Sequence, residues 1–98
     1  MKRTKNMVYK PTEEARELYV YADNHSELYH RELLPIMDHL RKFIAAGTYN
    51  HDRAIDFIYR YMCLASKEYG RDFGYEFSVQ DRFTAAVDME NDLFENYL

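Results

Sequence analysis

The sequence is poor in cysteine, proline and glycine and has no tryptophan, and these shortages narrow what it can be. Cys63 stands alone, so no internal disulfide forms, and its place beside Met62 in an apolar stretch reads as a small buried thiol. No apolar run approaches the roughly 20 residues of a helical membrane span, which argues against a membrane protein. The opening MKRTKNMVYKPTEE is basic but lacks the continuous apolar segment of a secretory signal, so a cytoplasmic location is expected. Internal repeats, low-complexity tracts and sustained heptads are missing as well.

What the chain does contain is ordinary in amount and unusual in kind. Its 98 residues suit one domain with one core. Hydrophobic residues at 47% and charged residues at 31% sit near globular averages and argue against disorder. Ten tyrosines and six phenylalanines exceed what one small core absorbs, and half-buried phenols suit an interface, so self-association or a protein partner is expected. The net charge of -4 conceals a polarity. Lys2, Arg3, Lys5 and Lys10 have no acidic neighbour, whereas beyond Ser78 the acids Asp81, Asp88, Glu90, Asp92 and Glu95 face only Arg82.

Apolar periodicity is clearest from Asn50 to Tyr69. Ala54, Ile58, Tyr61, Met62, Ala65 and Tyr69 recur with the 3.6-residue period of one helix face, and Ile55 and Phe57 widen that face until it needs neighbours on two sides. This predicts a central helix over about residues 51–69, capped by Asn50 and ended by Gly70. Ahead of it, residues 1–11 read as a flexible basic arm, and Thr12 caps a first helix running to Ala22 or Asp23. Asn24 with Glu27 signals a second helix from His25, unless the first continues through. Pro35 should kink or restart that helix, which then runs to Gly47 on a stripe of Leu33, Met37, Leu40 and Ile44. Phe73, Tyr75 and Phe77 predict a loop pinned by its rings, and Ser78 with Asp81 opens a last helix to about Asn96. The expected fold is all-α: residues 12–98 form a compact bundle of three to four helices around the central one. Its expected core is Leu18, Leu28, Leu33, Ile36, Met37, Leu40, Phe43, Ile44, Ile58, Tyr61, Met62, Ala65, Phe83, Val87 and Phe94.

Several landmarks in this order, namely NHSELY at 24–29, Pro35 and Ile36, GTY at 47–49, Ala54, Ala65 with SKEYGRDFG, and Phe77, Ser78 and Arg82, resemble a loose group of small helical proteins encoded by bacteriophages and mobile elements. The resemblance implies a phage or plasmid gene expressed inside a bacterium. It carries no catalytic residues, because the group has no assigned activity.

Catalytic chemistry finds little footing. Glu27 and His30 have the Glu-x-x-His spacing of di-iron bundles, but no second copy exists, and they read as a capping residue and a surface histidine. His25, His39 and His51 lack companions at zinc spacing and read as solvated. Gly70 and Gly74 lack the lysine and hydroxyl of a phosphate-binding loop. No enzyme, cofactor or metal is therefore expected. The basic arm, with Tyr9 as a stacking ring, offers a nucleic-acid alternative, disfavoured by an acidic pI near 5.5. The favoured reading is a phage or mobile-element accessory protein that binds, inhibits or redirects a host protein, for example a defence or DNA-binding component. Asp81, Asp88, Asp92 and Glu95 fall near one face of the last helix and would dock on a basic groove, with Met89 and Leu93 joining the contact where exposed. Assembly with a second copy, as in a homodimer, is the alternative.

Overall fold

The computed structural model describes residues 12–98. The expected basic arm at residues 1–11 lies outside the described residues. Among the described residues there is no strand, and the helices are α1 (Glu13–Asn24), α2 (Ser26–Leu28), α3 (Leu34–Ala46), α4 (His51–Phe73) and α5 (Val79–Asn96). A π-helical turn, Tyr29–Leu33, joins α2 to α3, so these three make one rod and the chain is a four-helix bundle.

Local chemistry sets most boundaries. The Thr12 hydroxyl accepts the Ala15 N–H at 3.0 Å, and Glu13 and Glu14 complement the helix dipole in the first turn of α1. His25, in place of the expected Asn24, caps α2, its Nδ1 accepting from the Leu28 N–H at 3.2 Å, while Asn24 remains the last residue of α1. One extended residue at His25 thus separates two helices that would otherwise fuse. Pro35 brings the expected fresh start. It has no N–H for the Arg31 carbonyl, and just ahead of it the Leu34 N–H reaches the Tyr29 carbonyl, five residues back. Pro35 then sits in the first turn of α3, where a missing N–H costs nothing. Gly47, at φ +76°, closes α3 with the Thr48 N–H on the Phe43 carbonyl at 2.9 Å. Asn50 caps α4 by accepting the Arg53 N–H.

The end of α4 departs from expectation. Gly70 is helical, and the helix continues to Phe73 before Gly74, at φ +71°, terminates it. Gly70 serves a close approach instead: a Cβ there would stand 3.2 Å from the Tyr75 carbonyl. The loop at residues 74–78 folds back over α4, and Ser78 caps α5 through the Asp81 N–H at 3.0 Å.

α1, α4 and α5 form the inner bundle, and the α2–α3 rod flanks it. α4 runs antiparallel to α1, as the Tyr61 hydroxyl bond to the Ala22 carbonyl and the Tyr69 bond to Glu17 require. It is antiparallel to α5 as well, with His51 beside Glu90 and Cys63 beside Arg82. α1 and α5 are consequently parallel, joined at Thr12–Asp81 and Tyr19–Asp92. The core contains Leu18, Leu28, Leu33, Met37, Leu40, Ile58, Tyr61, Met62 and Ala65, all expected, together with Ala54, Ile55, Phe77, Ala85, Ala86, Met89 and Leu93. Phe83 and Phe94, expected inside, are exposed. α5 turns Ala85, Ala86, Met89 and Leu93 inward, which rotates Val79, Phe83 and Phe94 away from the core.

Candidate protein-binding surface

Aromatic residues from three segments meet at one end of the bundle. On α1, Tyr21 lies edge-on to Tyr69 of α4 at 5.1 Å and to Phe73 at 6.4 Å between ring centroids. Tyr69 also meets Phe73 at 4.6 Å and Phe77 at 4.9 Å, and Tyr75 lies 4.8 Å from Phe77. The i, i+4 spacing of Tyr69 and Phe73 puts both on one side of the last α4 turns, and the fold-back after Gly74 brings Tyr75 and Phe77 to them. Phe77 is buried and anchors the loop, as the alternating rings predict, but Phe73 remains 65% exposed and Tyr75 is exposed too.

The phenols are held rather than free. Tyr21 donates to Asp72 at 3.2 Å, and Tyr69 donates to Glu17. Desolvation and the bond to Asp72 push Tyr21 up to about 12, and the Glu17 bond likewise raises Tyr69. Both hydroxyls are donors at neutral pH, as any phenol is, and their bonds to Asp72 and Glu17 hold the rings. A groove of about 540 Å³ runs beside the rings, lined by Glu13, Arg16, Glu17, Val20, Tyr21, Tyr69 and Phe73. Its apolar walls, with the two carboxylates Glu13 and Glu17 outnumbering the single cation Arg16, form a preset platform for a side chain with an apolar stem and a cationic head.

The acidic residues expected to dock are mostly engaged within the fold. Met89 and Leu93 are 1% and 4% exposed, core residues and no part of an outer contact. Their i, i+4 spacing, which places them among the charges in sequence, is the spacing that faces α5 to the core. Asp81 accepts the Thr12 hydroxyl at 3.0 Å and Asp92 the Tyr19 hydroxyl at 3.1 Å. Asp88 is half-buried, its carboxyl held above the usual range by desolvation and Asp92, an effect that Arg16 partly offsets. Desolvation and Asp92 also raise Asp23. Of the row, Glu95 alone is exposed, so the acids largely line the α1–α5 seam.

Other candidates find local uses. Glu27 pairs with Arg31, and His30 bonds the Ser26 carbonyl at 2.8 Å. His39 packs edge-on against Phe57 at 5.3 Å. Cys63 is half-buried beside Arg82, not enclosed as expected. His51 is not simply solvated: its Nδ1 lies 2.6 Å from Oε2 of Glu90, which also accepts the Tyr49 hydroxyl at 2.8 Å. Glu90 is completely buried, a polar clamp between the α3–α4 turn and α5 that apolar periodicity does not reveal. Its one advance signal was its register with Ala86 and Met89 on an inward face.

Among the described residues, no group of three His, Cys, Asp or Glu side chains is arranged to hold a metal, and no helix is long and apolar enough to cross a membrane. No protein-family model, curated protein or solved structure matches the chain.

Proposed function

We propose that this is an accessory protein of a phage or mobile element that works by binding a bacterial host protein, with the aromatic platform as its docking surface. The observation that carries this reading is the exposure of Phe73 and Tyr75 on rings already fixed by Tyr21, Tyr69 and Phe77. Rigid aromatic groups lose little entropy on binding, and such groups dominate interface energetics. Glu13, Glu17 and Asp72 surround them, so the favoured partner surface carries lysine or arginine among apolar residues. The phage or plasmid setting rests on the sequence resemblance alone.

The test is capture from bacterial lysate, identification, and reconstitution with the purified partner. Phe73→Ala and Tyr75→Ala remove exposed rings without opening the core, and each should weaken the reconstituted complex about tenfold or more. Equal affinity for the parent and both variants sinks the docking surface. A second reading, self-assembly, is favoured by Val79, Phe83 and Phe94, which expose apolar side chains along the outer side of α5. A dimeric mass by light scattering that Phe83→Ser converts to monomer selects that reading.

A further inference from the structure

A second groove, of about 610 Å³, opens on another side of α4, between its later turns and the loop leading into α5. Ser66 and Phe77 lie deep in it, Cys63 is half-buried in its wall, and Lys67, Glu76 and Arg82 stand around it. Its size falls within the usual range of small-molecule sites.

Ser66 gives the groove its meaning. The residue is 7% exposed, and among the described residues its hydroxyl has no hydrogen-bond partner. A helical serine ordinarily bonds back to a carbonyl of the preceding turn, and a buried hydroxyl without a partner is uncommon because dehydration goes uncompensated. This one lines the cavity, where a ligand atom would satisfy it.

Two cations line the same groove. Arg82 lies over the Tyr59 ring at 6.0 Å, donates through Nε to the Ser78 carbonyl at 3.3 Å, and reaches Cys63 Sγ with Nη1 at 3.6 Å. Its guanidinium has five N–H donors, so most remain for a ligand. Lys67 is exposed and forms no ion pair among the described residues. Leu64, Tyr75 and Phe77 supply apolar wall.

We propose that this groove binds a small amphipathic monocarboxylate, the carboxylate held by the Ser66 hydroxyl, Lys67 and Arg82 and the apolar body lying along Leu64 and Phe77. A guanidinium, an ammonium and one hydroxyl match a single planar carboxylate. Glu76, at the same groove, repels a second negative charge and so disfavours dianions.

Cys63 is the only cysteine and lines this groove, so its alkylation reads the site directly. Iodoacetate and iodoacetamide react alike: the sulfur forms a bond to carbon, iodide leaves, and the thiol proton passes to buffer. The ratio of their rates cancels the thiolate fraction and isolates the effect of the carboxylate. In the folded protein the iodoacetate-to-iodoacetamide ratio should exceed that of the urea-unfolded chain about tenfold, through local cation attraction. Lys67→Gln and Arg82→Gln should return it toward the unfolded value, and benzoate, not benzamide, should protect. Independently of thiol reactivity, benzoate should shift the Ser66 and Lys67 amide resonances, less so in Ser66→Ala. A folded ratio no higher than the unfolded one, equal protection by benzamide, or unmoved resonances would overturn the site. The isolated chain suffices for every arm, so failure here leaves the host-protein reading untouched.

Discussion

Removing the Glu90 carboxyl tests whether a buried polar clamp, and not apolar packing alone, fixes α5 against the α3–α4 turn. Glu90 is fully enclosed, and its Oε2 receives both the Tyr49 hydroxyl at 2.8 Å and His51 Nδ1 at 2.6 Å. A hydrogen bond to a charged group contributes about 1.5–3 kcal/mol. His51 is 50% exposed and can turn to water, so its loss falls at or below the lower end, and the Tyr49 bond dominates. Glu90→Ala also leaves a void, which brings the expected loss to roughly 3 kcal/mol, a large part of the 5–15 kcal/mol typical of a domain. Thermal unfolding followed by far-UV circular dichroism should show a fall in Tm of about 12–24 °C. Glu90→Gln keeps the volume and can set its amide oxygen where Oε2 accepts both donors, so it should cost about half as much, since the void disappears and only the charge on the acceptor is lost. A Glu90→Ala protein melting within about 2 °C of the parent would refute the clamp.

Tyr61→Phe removes the buried bond from the Tyr61 hydroxyl to the Ala22 carbonyl, 2.6 Å long, and should cost about 1–2 kcal/mol by urea unfolding while leaving the spectrum native. Burial above all raises the phenols of Tyr19 and Tyr61 over their ordinary 10.0, so both stay protonated in the fold while the unfolded chain ionises. Their stabilisation is complete below pH 10.0 and lost as pH rises through the folded-state values, so urea midpoints should fall above pH 10.0, less steeply in Tyr61→Phe. Asp92→Asn keeps an acceptor for Tyr19 and relieves Asp23 and Asp88, whose carboxyl pKa values should drop toward 3.8 in a carbon-13 NMR titration. Raised carboxyl values favour the fold below 3.8 and lose that stabilisation as pH climbs through them, so the variant should gain on the parent toward neutral pH. Gly74→Ala places a side chain at φ +71° and should cost about 1–2 kcal/mol by denaturant titration.

Much of the fold was legible because its boundaries are made locally. Thr12, Asn50 and Ser78 cap three helices through bonds that span three residues, and Gly47 ends α3 by its own backbone freedom. The failures came where a local signal had two solutions. Gly70 and Gly74 are both credible terminators, and only the approach of the Tyr75 carbonyl shows that Gly70 is needed inside the helix. His25 and Asn24 can each cap, and the choice depended on where a ring nitrogen fell.

The site was less legible, and α5 shows why. Its sequence carries two apolar stripes, Ala85, Ala86, Met89 and Leu93 on one side and Val79, Phe83 and Phe94 on the other. Periodicity detects both but cannot say which one meets α1 and α4. Residue size misleads as well: the larger rings point outward, because closely packed helices favour alanine and methionine between them. The acids between the stripes, Asp81, Asp88 and Asp92, follow that choice and fall on the α1 seam, where two of them accept hydroxyl bonds from Thr12 and Tyr19. The surplus of tyrosine, by contrast, pointed toward a real feature, although composition could not place it. The cluster forms because α1 and α4 are antiparallel, which brings Tyr21 beside Tyr69, and because Gly74 returns the chain over the end of α4. An aromatic cluster that joins Tyr21 to Asp72, 51 positions on, is a property of topology, so the docking surface proposed above is to be tested at the junction of α1, α4 and the loop at residues 74–78 before the acidic helix.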